Sequence, residues 1–248
     1  MAELIVSDVS KSFGPVKVLD HISIELHDQE LVGLLGVSGG GKTTLFNVIS
    51  GIETPEEGHV YLDGEDITGK PGSVSYMLQK DLLLPYRTIE DNVSLPLLIK
   101  GENKKAAREK VGKYFKEFGL EGTEKKYPSQ LSGGMRQRAA LLRTYLFSHK
   151  LALLDEPFSA LDTLTKSAMH KWYLQVMEQI HLSTIFITHD IDEAILLSDR
   201  IYLLTGKPGK ITEEIVIKEP KPRRKDFNLT DEFLQYKRYI LEKLDMKQ

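Results

Sequence analysis

Along this chain, short unbroken apolar runs alternate with stretches in which apolar residues recur every three or four positions. Leu31-Val32-Gly33-Leu34-Leu35, Leu151-Ala152-Leu153-Leu154 and Ser183-Thr184-Ile185-Phe186-Ile187-Thr188 are runs of the first kind. A short run with no polar face predicts a strand covered on both sides, as in a parallel sheet packed between layers. Leu4 to Val9 and Ile22 to Leu26 also read as strands, the second with clear alternation, and a turn is expected over Lys11-Ser12-Phe13-Gly14-Pro15. Gly58 to Gly64 reads as a strand ending in a turn, and Val74 to Gln79 as a short β-rich run. Several antiparallel strands are therefore expected beside the parallel core. Asp199 to Leu204 and Ile211 to Ile217 are expected as edge strands.

The helical pattern runs from Thr88 to about Phe147. Thr88 is a fair N-cap, with Glu90 and Asp91 in the first turn. Lys104 to Phe118 places Ala107, Val111, Tyr114, Phe115 and Phe118 at helical spacing, with a basic, solvated opposite face. A last helix is expected near Thr230, with Asp231 and Glu232 early and Lys243 and Lys247 late, matching the helix dipole. Phe233, Tyr236, Ile240, Leu241 and Leu244 give it one apolar face. Lys221-Pro222-Arg223-Arg224-Lys225 before it reads as a polar linker. Leu82 to Thr88, apolar but interrupted by Pro85, predicts a loop with docking character.

Length and composition narrow the class. A chain of 248 residues suits one large α/β domain, or one carrying an inserted subdomain. A net charge of −3 gives no case for nucleic-acid binding, and the absence of cysteine excludes disulfides and thiolate metal sites. No apolar run approaches the roughly 20 residues that span a bilayer, and Met1-Ala2-Glu3 lacks a basic flank and apolar region. The expectation is a soluble, cytoplasmic chain that reaches a membrane only through a partner.

The chemistry centres on Gly36-Val37-Ser38-Gly39-Gly40-Gly41-Lys42-Thr43-Thr44, which joins the Leu31 strand to a helix opening at Leu45-Phe46-Asn47-Val48-Ile49. Strand, glycine loop, Lys-Thr and helix form a phosphate-binding loop, or P-loop. Its inward-turned N–H groups and the helix N-terminus surround a di- or triphosphate. Lys42 brings a mobile charge to the β- and γ-phosphates, and the Thr43 hydroxyl is a hard ligand suited to Mg²⁺.

Other chemistry follows from strand ends. Asp155 and Glu156 close a buried strand where α/β proteins bind ligands, Asp155 suited to holding Mg²⁺ through water and Glu156 to polarising an attacking water. His189 ends another strand at the same sheet edge, within reach of a γ-phosphate or its water. Ser132, followed by Gly133 and Gly134, is either an ordinary helix cap or a second, lysine-free anion site. Phe13 either caps the core edge or offers a flat face to an adenine. Ser159-Ala160-Leu161-Asp162 forms a loop that begins the next helix.

Taken in order, the P-loop, Gln79, Leu131-Ser132-Gly133-Gly134, Asp155-Glu156, Ser159 to Asp162 and His189 resemble an ABC-transporter ATPase subunit over residues 1 to about 205. The resemblance implies an α/β P-loop NTPase core with a flanking antiparallel β subdomain and an inserted helical subdomain. Within a single domain of residues 1–248, the core is expected at about 1–86 and 149–217, the helical insertion at about 87–148 and the last helix at about 229–245. The family stacks two such domains head to tail around two ATP molecules. By that match Phe13 stacks on adenine and Val18 packs near the nucleotide. Gln79 meets Mg²⁺ and senses the partner, Ser132 to Gly134 bind ATP across the dimer, Asp162 is among the nucleotide-binding residues, Glu156 is catalytic and His189 reads the γ-phosphate. Phe13 stands where tyrosine is common, and Met135 where glutamine often ends the signature; neither change removes a backbone donor.

The segments Leu82 to Leu98, Phe158 to Thr165 and Arg223-Arg224 look like the importer branch for nitrate, sulfonates, taurine or thiamine-precursor pyrimidines. There, an ATPase homodimer on the inner face of the membrane serves permease subunits and a separate solute-binding protein. A non-transport ABC ATPase is the second reading. Those acting on nucleic acid usually carry long coiled-coil insertions or paired domains, and this chain has neither. A plain P-loop kinase has no use for the signature helix.

Overall fold

The computed structural model describes residues 3–245 except 149, 160, 222 and 225. Met1, Ala2, Ala160, Pro222, Lys225 and Lys247, named above, lie outside the described residues. Two sheets carry the architecture. In the smaller one, β1 (Leu4–Phe13), β2 (Val16–Leu26), β4 (Glu57–Leu62) and β5 (Glu65–Asp66) are antiparallel in the order β2-β1-β4-β5. The larger sheet contains β3 (Leu31–Gly36), β6 (Ser75–Met77), β7 (Leu151–Asp155), β8 (Ser183–Thr188), β9 (Arg200–Thr205) and β10 (Lys210–Val216). Its order is β10-β9-β3-β8-β7-β6, parallel except for β10.

Period-2 alternation assigns each strand residue to a layer. Val32, Leu34, Leu151, Leu153, Ile185, Ile187, Tyr202 and Leu204 face the small sheet and α1 (Lys42–Ile49), whose Phe46 is fully buried. Leu31, Ala152, Leu154 and Phe186 point the other way, toward α5 (Gly133–Phe147) and α6 (Thr163–Ile180). On that side, Leu35, Ile201 and Leu203 meet α7 (Ile191–Leu197) and α8 (Asp231–Asp245). Strands with two apolar faces must be covered twice, which explains the unbroken runs in the sequence. The pairings Leu35↔Thr188, Asp155↔Ile187 and Met77↔Leu154 bring the C-terminal ends of four strands to one edge.

Three sequence expectations need correction. The first hairpin is longer than the alternation suggests: β1 continues through Lys11 and Ser12 to Phe13, leaving only Gly14 and Pro15 as the turn. Register shifts between Val6 and Val9, and again around Lys11, break the apolar–polar rhythm that marks a strand. The Asp199–Leu204 run is not an edge strand, because β9 lies between β10 and β3; of the two runs expected at an edge, β10 is the one found there. The Lys104–Phe118 helix ends early. Regular helix stops at Gly112 in α4 (Lys104–Gly112), and Tyr114 and Phe115 then donate three residues back, to Val111 and Gly112, as the chain tightens into turns. Glycine is the weakest ordinary helix former, so the break falls there although Phe115 and Phe118 stay buried.

Between residues 89 and 147 the described elements are helical: α2 (Ile89–Val93), α3 (Leu95–Ile99), α4, a 3₁₀ turn at Pro128–Gln130, and α5. Thr88 and Asn103 cap α2 and α4 through side-chain oxygens that accept from Asp91 and Ala106 N–H groups. Trp172 of α6, the chain's only tryptophan, ties this layer to the core. The Arg138 guanidinium lies 4.6 Å from its ring, and Phe118 meets it edge-on at 6.1 Å.

The loop between β6 and α2 is fastened to the helices by side chains. Arg143 donates to the Asp81 and Leu82 carbonyls at 2.6 and 2.8 Å, and Arg136 reaches the Asp81 carboxylate at 3.2 Å. Asn92, fully buried, accepts from Leu84 N–H at 2.6 Å and donates to the Leu84, Arg87 and Thr88 carbonyls. These bonds satisfy a backbone that has no sheet partner. They also leave Leu82 and Tyr86 exposed. An Asn92→Ala change strands these partly buried backbone groups and removes the amide that holds the loop, and is expected to lower stability by about 1–3 kcal/mol. The denaturant midpoint should fall at unchanged slope.

Candidate active site

The P-loop leaves β3 under tight steric control. A side chain at Gly36 would place its Cβ 2.2 Å from the Leu204 carbonyl oxygen of the adjacent strand. Gly41 has φ of 95°, and its Cβ would lie 2.8 Å from Leu19 and 3.2 Å from Val18 Cγ1. Val18 is thereby placed against the loop. Lys42 begins α1 and is buried; its ammonium donates to the Gly36 and Val37 carbonyls, both at 2.9 Å. Burial pulls the Lys42 pKa below the ordinary lysine value, against the attraction of Glu156 and Asp155.

Thr43 is the link to β7. Its hydroxyl donates to Asp155 Oδ2 at 3.1 Å. Burial pushes the Asp155 carboxyl above its usual range; the bond from Thr43 opposes this, and the nearby Glu156 adds to it. The next residue, Glu156, has φ of 47°, a left-handed conformation that is unusual for a glutamate. Its N–H donates to Ile187 O at 3.1 Å, holding the turn to β8. Its two carboxylate oxygens are divided: Gln79 Nε2 donates to one at 2.9 Å, and His189 Nδ1 lies 3.1 Å from the other. The loops after β3, β6, β7 and β8 thus bring Lys42, Thr43, Gln79, Asp155, Glu156 and His189 to one sheet edge. Strain concentrated at a residue with so many polar partners is a common mark of a working site.

The remaining candidates lie apart from this cluster. Phe13 ends β1, half exposed, with the Lys11 ammonium 5.1 Å from its ring centre. Ser132 caps α5 by accepting from Met135 N–H at 3.3 Å. A Cβ on Gly133 or Gly134 would meet Leu161 at 3.5 Å or Thr165 at 3.4 Å, so their neighbours are α6 and the loop before it rather than the P-loop. Asp162 caps α6 through Thr165, whose hydrogen bonds hold its pKa below the usual range. Ser38, Gly39, Gly40 and Thr44 complete the P-loop, with Gly40 N–H donating to Val37 O at 3.2 Å.

A family profile described as "ABC transporter" matches residues 19–159, more than half of the chain. This chain belongs to the ABC transporter family. It is an ABC-type ATPase, the ATP-binding subunit of such a system, with the family's antiparallel β subdomain beside a parallel core sheet. Among its relatives, the formylaminopyrimidine import ATP-binding protein ThiZ of Halalkalibacterium halodurans is 46% identical over 84% of this chain and 81% of its own length. The aliphatic sulfonates import ATP-binding protein SsuB of Bacillus cereus is 38% identical over 97% of this chain and 95% of its own. The dimeric structure of the bacterial ABC transporter cassette MJ0796 superposes with a TM-score of 0.73 at 27% identity, covering 87% of this chain and 99% of that one. A post-hydrolysis state of that cassette, bound to ADP and Pi, gives 0.72 at the same identity and coverage.

Sequence reasoning missed two residues that hold the loop between β6 and α2: Arg143 and Asn92. A lone arginine in the apolar stretch from Ala139 to Leu146, and an asparagine between buried Ile89 and Val93, were signals in plain view.

The raised Asp155 pKa has a consequence for stability. A carboxyl whose folded pKa lies above its unfolded value favours the fold when protonated, and that contribution fades as pH rises through the folded pKa. Asp155→Asn is neutral at every pH. In nucleotide-free protein without divalent cation, it is expected to raise the thermal midpoint at pH 7, and to raise it less near pH 4.

Proposed function

We propose that this ABC ATPase powers an importer, using ATP-driven closure of a homodimer to drive solute uptake through integral membrane permease subunits fed by a separate solute-binding protein. Nitrate, a sulfonate, taurine or a thiamine-precursor pyrimidine is the solute class. The word "import" in the names of relatives covering most of this chain supports that direction. The observation that carries the catalytic part is the division of the Glu156 carboxylate between Gln79 and His189, beside Thr43–Asp155 and Lys42.

In this reading Glu156 takes the proton of the attacking water, and His189 positions that water and the γ-phosphate. Lys42 leaves the Gly36 and Val37 carbonyls for the phosphates, and the N–H groups from Gly36 to Thr44 surround them. The Thr43 hydroxyl and the Asp155 carboxylate, 3.1 Å apart, are hard oxygen donors that fit Mg²⁺, and the Gln79 amide reaches the same edge. When bound, that ion neutralises phosphate charge and aligns the oxygens. Phe13 stacks on the adenine and Val18 lies under the nucleotide. The exposed Ser132, followed by Gly133 and Gly134, binds with Asp162 the ATP held by the other subunit. The helices of residues 87–148 act as one subdomain against a core of 1–86 and 149–217, and the loop bearing the exposed Leu82, Leu84 and Tyr86 meets the permease on the cytoplasmic face. Among the described residues, no helix is long and apolar enough to cross a membrane.

Glu156→Gln keeps the shape of the side chain but removes the base. Turnover should fall by at least about 100-fold. Light scattering should show the variant doubling in mass only with Mg-ATP. A variant that binds ATP tightly and stays monomeric would exclude a sandwich formed by the subunit alone. Deleting the gene and testing growth on a sulfonate or taurine as sulfur source, nitrate as nitrogen source, or the pyrimidine precursor identifies the solute by the one condition that fails. Unimpaired growth on all of them overturns the solute class.

A further inference from the structure

Behind His189 lies a group of partly buried charges, with Glu193 buried at its centre, that the reading above does not use. Lys166, in the first turn of α6, places its ammonium 2.6 Å from Asp190 Oδ2 and 2.8 Å from Glu193 Oε2. Asp190 directly follows His189 and caps α7, accepting from Glu193 N–H at 3.1 Å, while its own N–H donates to Thr188 Oγ1 at 3.0 Å. Glu193 is 3% exposed. His170, one turn beyond Lys166, brings Nε2 to 3.5 Å from the same Glu193 carboxylate. The His170 ring packs edge-on against Phe158 at 4.8 Å, two residues after Glu156. The contacts form a circuit, from the loop after β7 through His170, Glu193, Lys166 and Asp190 to the residue beside His189.

Local helix chemistry does not explain Lys166. A cation in the first turn opposes the dipole of its own helix. Burial also works against its charge, yet the bonds to Asp190 and Glu193 outweigh this and raise its pKa. A buried ion pair is seldom more stable than well-packed apolar residues of the same volume. What the ammonium does provide is a fixed distance between two helix starts: α6, whose cap is Asp162, and α7, whose cap follows His189.

We propose that Lys166 is a positioning residue, whose ammonium between Asp190 and Glu193 sets the turn that carries His189 toward Glu156. The proposal rests on the reading that Glu156 and His189 act on ATP. Because Asp162 lies four residues before Lys166, the same contact makes the His189 turn sensitive to the placement of the Asp162 loop.

Three variants of the full chain test it: Lys166→Met, which keeps the stem and removes the charge, Lys166→Arg, which keeps the charge, and Glu156→Gln as reference. For Lys166→Met, kcat is expected to fall roughly tenfold or more with KM for Mg-ATP within about twofold, since small displacements of a reacting group have large effects on rate. Lys166→Arg should recover most of the loss. The His189 imidazole nitrogen resonances, assigned against His189→Ala in nucleotide-free protein, should shift in Lys166→Met and return in Lys166→Arg. If Lys166→Met does not fold, Lys166→Met/Glu193→Gln removes the stranded acid and is read by the same two measures.

Wild-type kcat in a folded variant lacking the Lys166 charge overturns the proposal. So does a loss confined to KM, or unmoved His189 resonances. Retained turnover in Glu156→Gln instead overturns the assignment of the base, while the resonances still decide the role of Lys166.

Discussion

Lys42 and Asp155 are buried near one another without forming an ion pair, and the site depends on that separation. The ammonium turns to two backbone carbonyls, and the carboxylate accepts from a threonine hydroxyl. Burial disfavours the charged form of each, lowering one pKa and raising the other. Under the proposed function, a polyphosphate would answer the first charge and a divalent cation the second. The two ligands together would then relieve both desolvation penalties, each relieving one. The close approach of Gly36 to Leu204 maintains this arrangement, because it fixes where the P-loop starts relative to the sheet.

The centre of the fold was legible in the sequence because its strands are covered on both faces. Such strands leave unbroken apolar runs, and the runs at Leu31, Leu151 and Ser183 correspond to β3, β7 and β8. Helix caps were legible for a different reason: Thr88 and Ser132 bond to N–H groups three residues on, so cap and partner share one short window. Where the structure departs from the pattern, the cause is local irregularity or a distant neighbour. Bulges hid the second half of β1, and glycine ended α4 within an apolar rhythm that carried on. Strand order placed β9 inside the sheet, between β10 and β3, in keeping with its unbroken apolar run Ile201-Tyr202-Leu203-Leu204.

The candidate site divides the same way. Its chemistry-bearing residues stand at strand ends and within a glycine loop, positions that a linear pattern reveals. The side chains that aim them do not: Arg143 reaches back about sixty residues to the Asp81–Leu82 carbonyls, and Lys166 meets Asp190 and Glu193 across two helices. Long polar side chains on helix faces look alike in a sequence whether they are solvated or hold a loop. The Gln79 loop accordingly belongs by its bonds to the helices, while Gln79 itself is bonded to the core through Glu156. Any displacement between the two parts is therefore borne between Gln79 and Asp81.

Trp172 gives the molecule an optical property. The single indole sits on the core side of that boundary, with the Arg138 guanidinium over its face and Phe118 at its edge, both from the helical side. A nearby cation alters indole emission, and withdrawing that cation alters it again. Any rotation of these helices against α6 would thereby register in the intrinsic fluorescence of the native chain, where it could be followed in real time without attaching a dye.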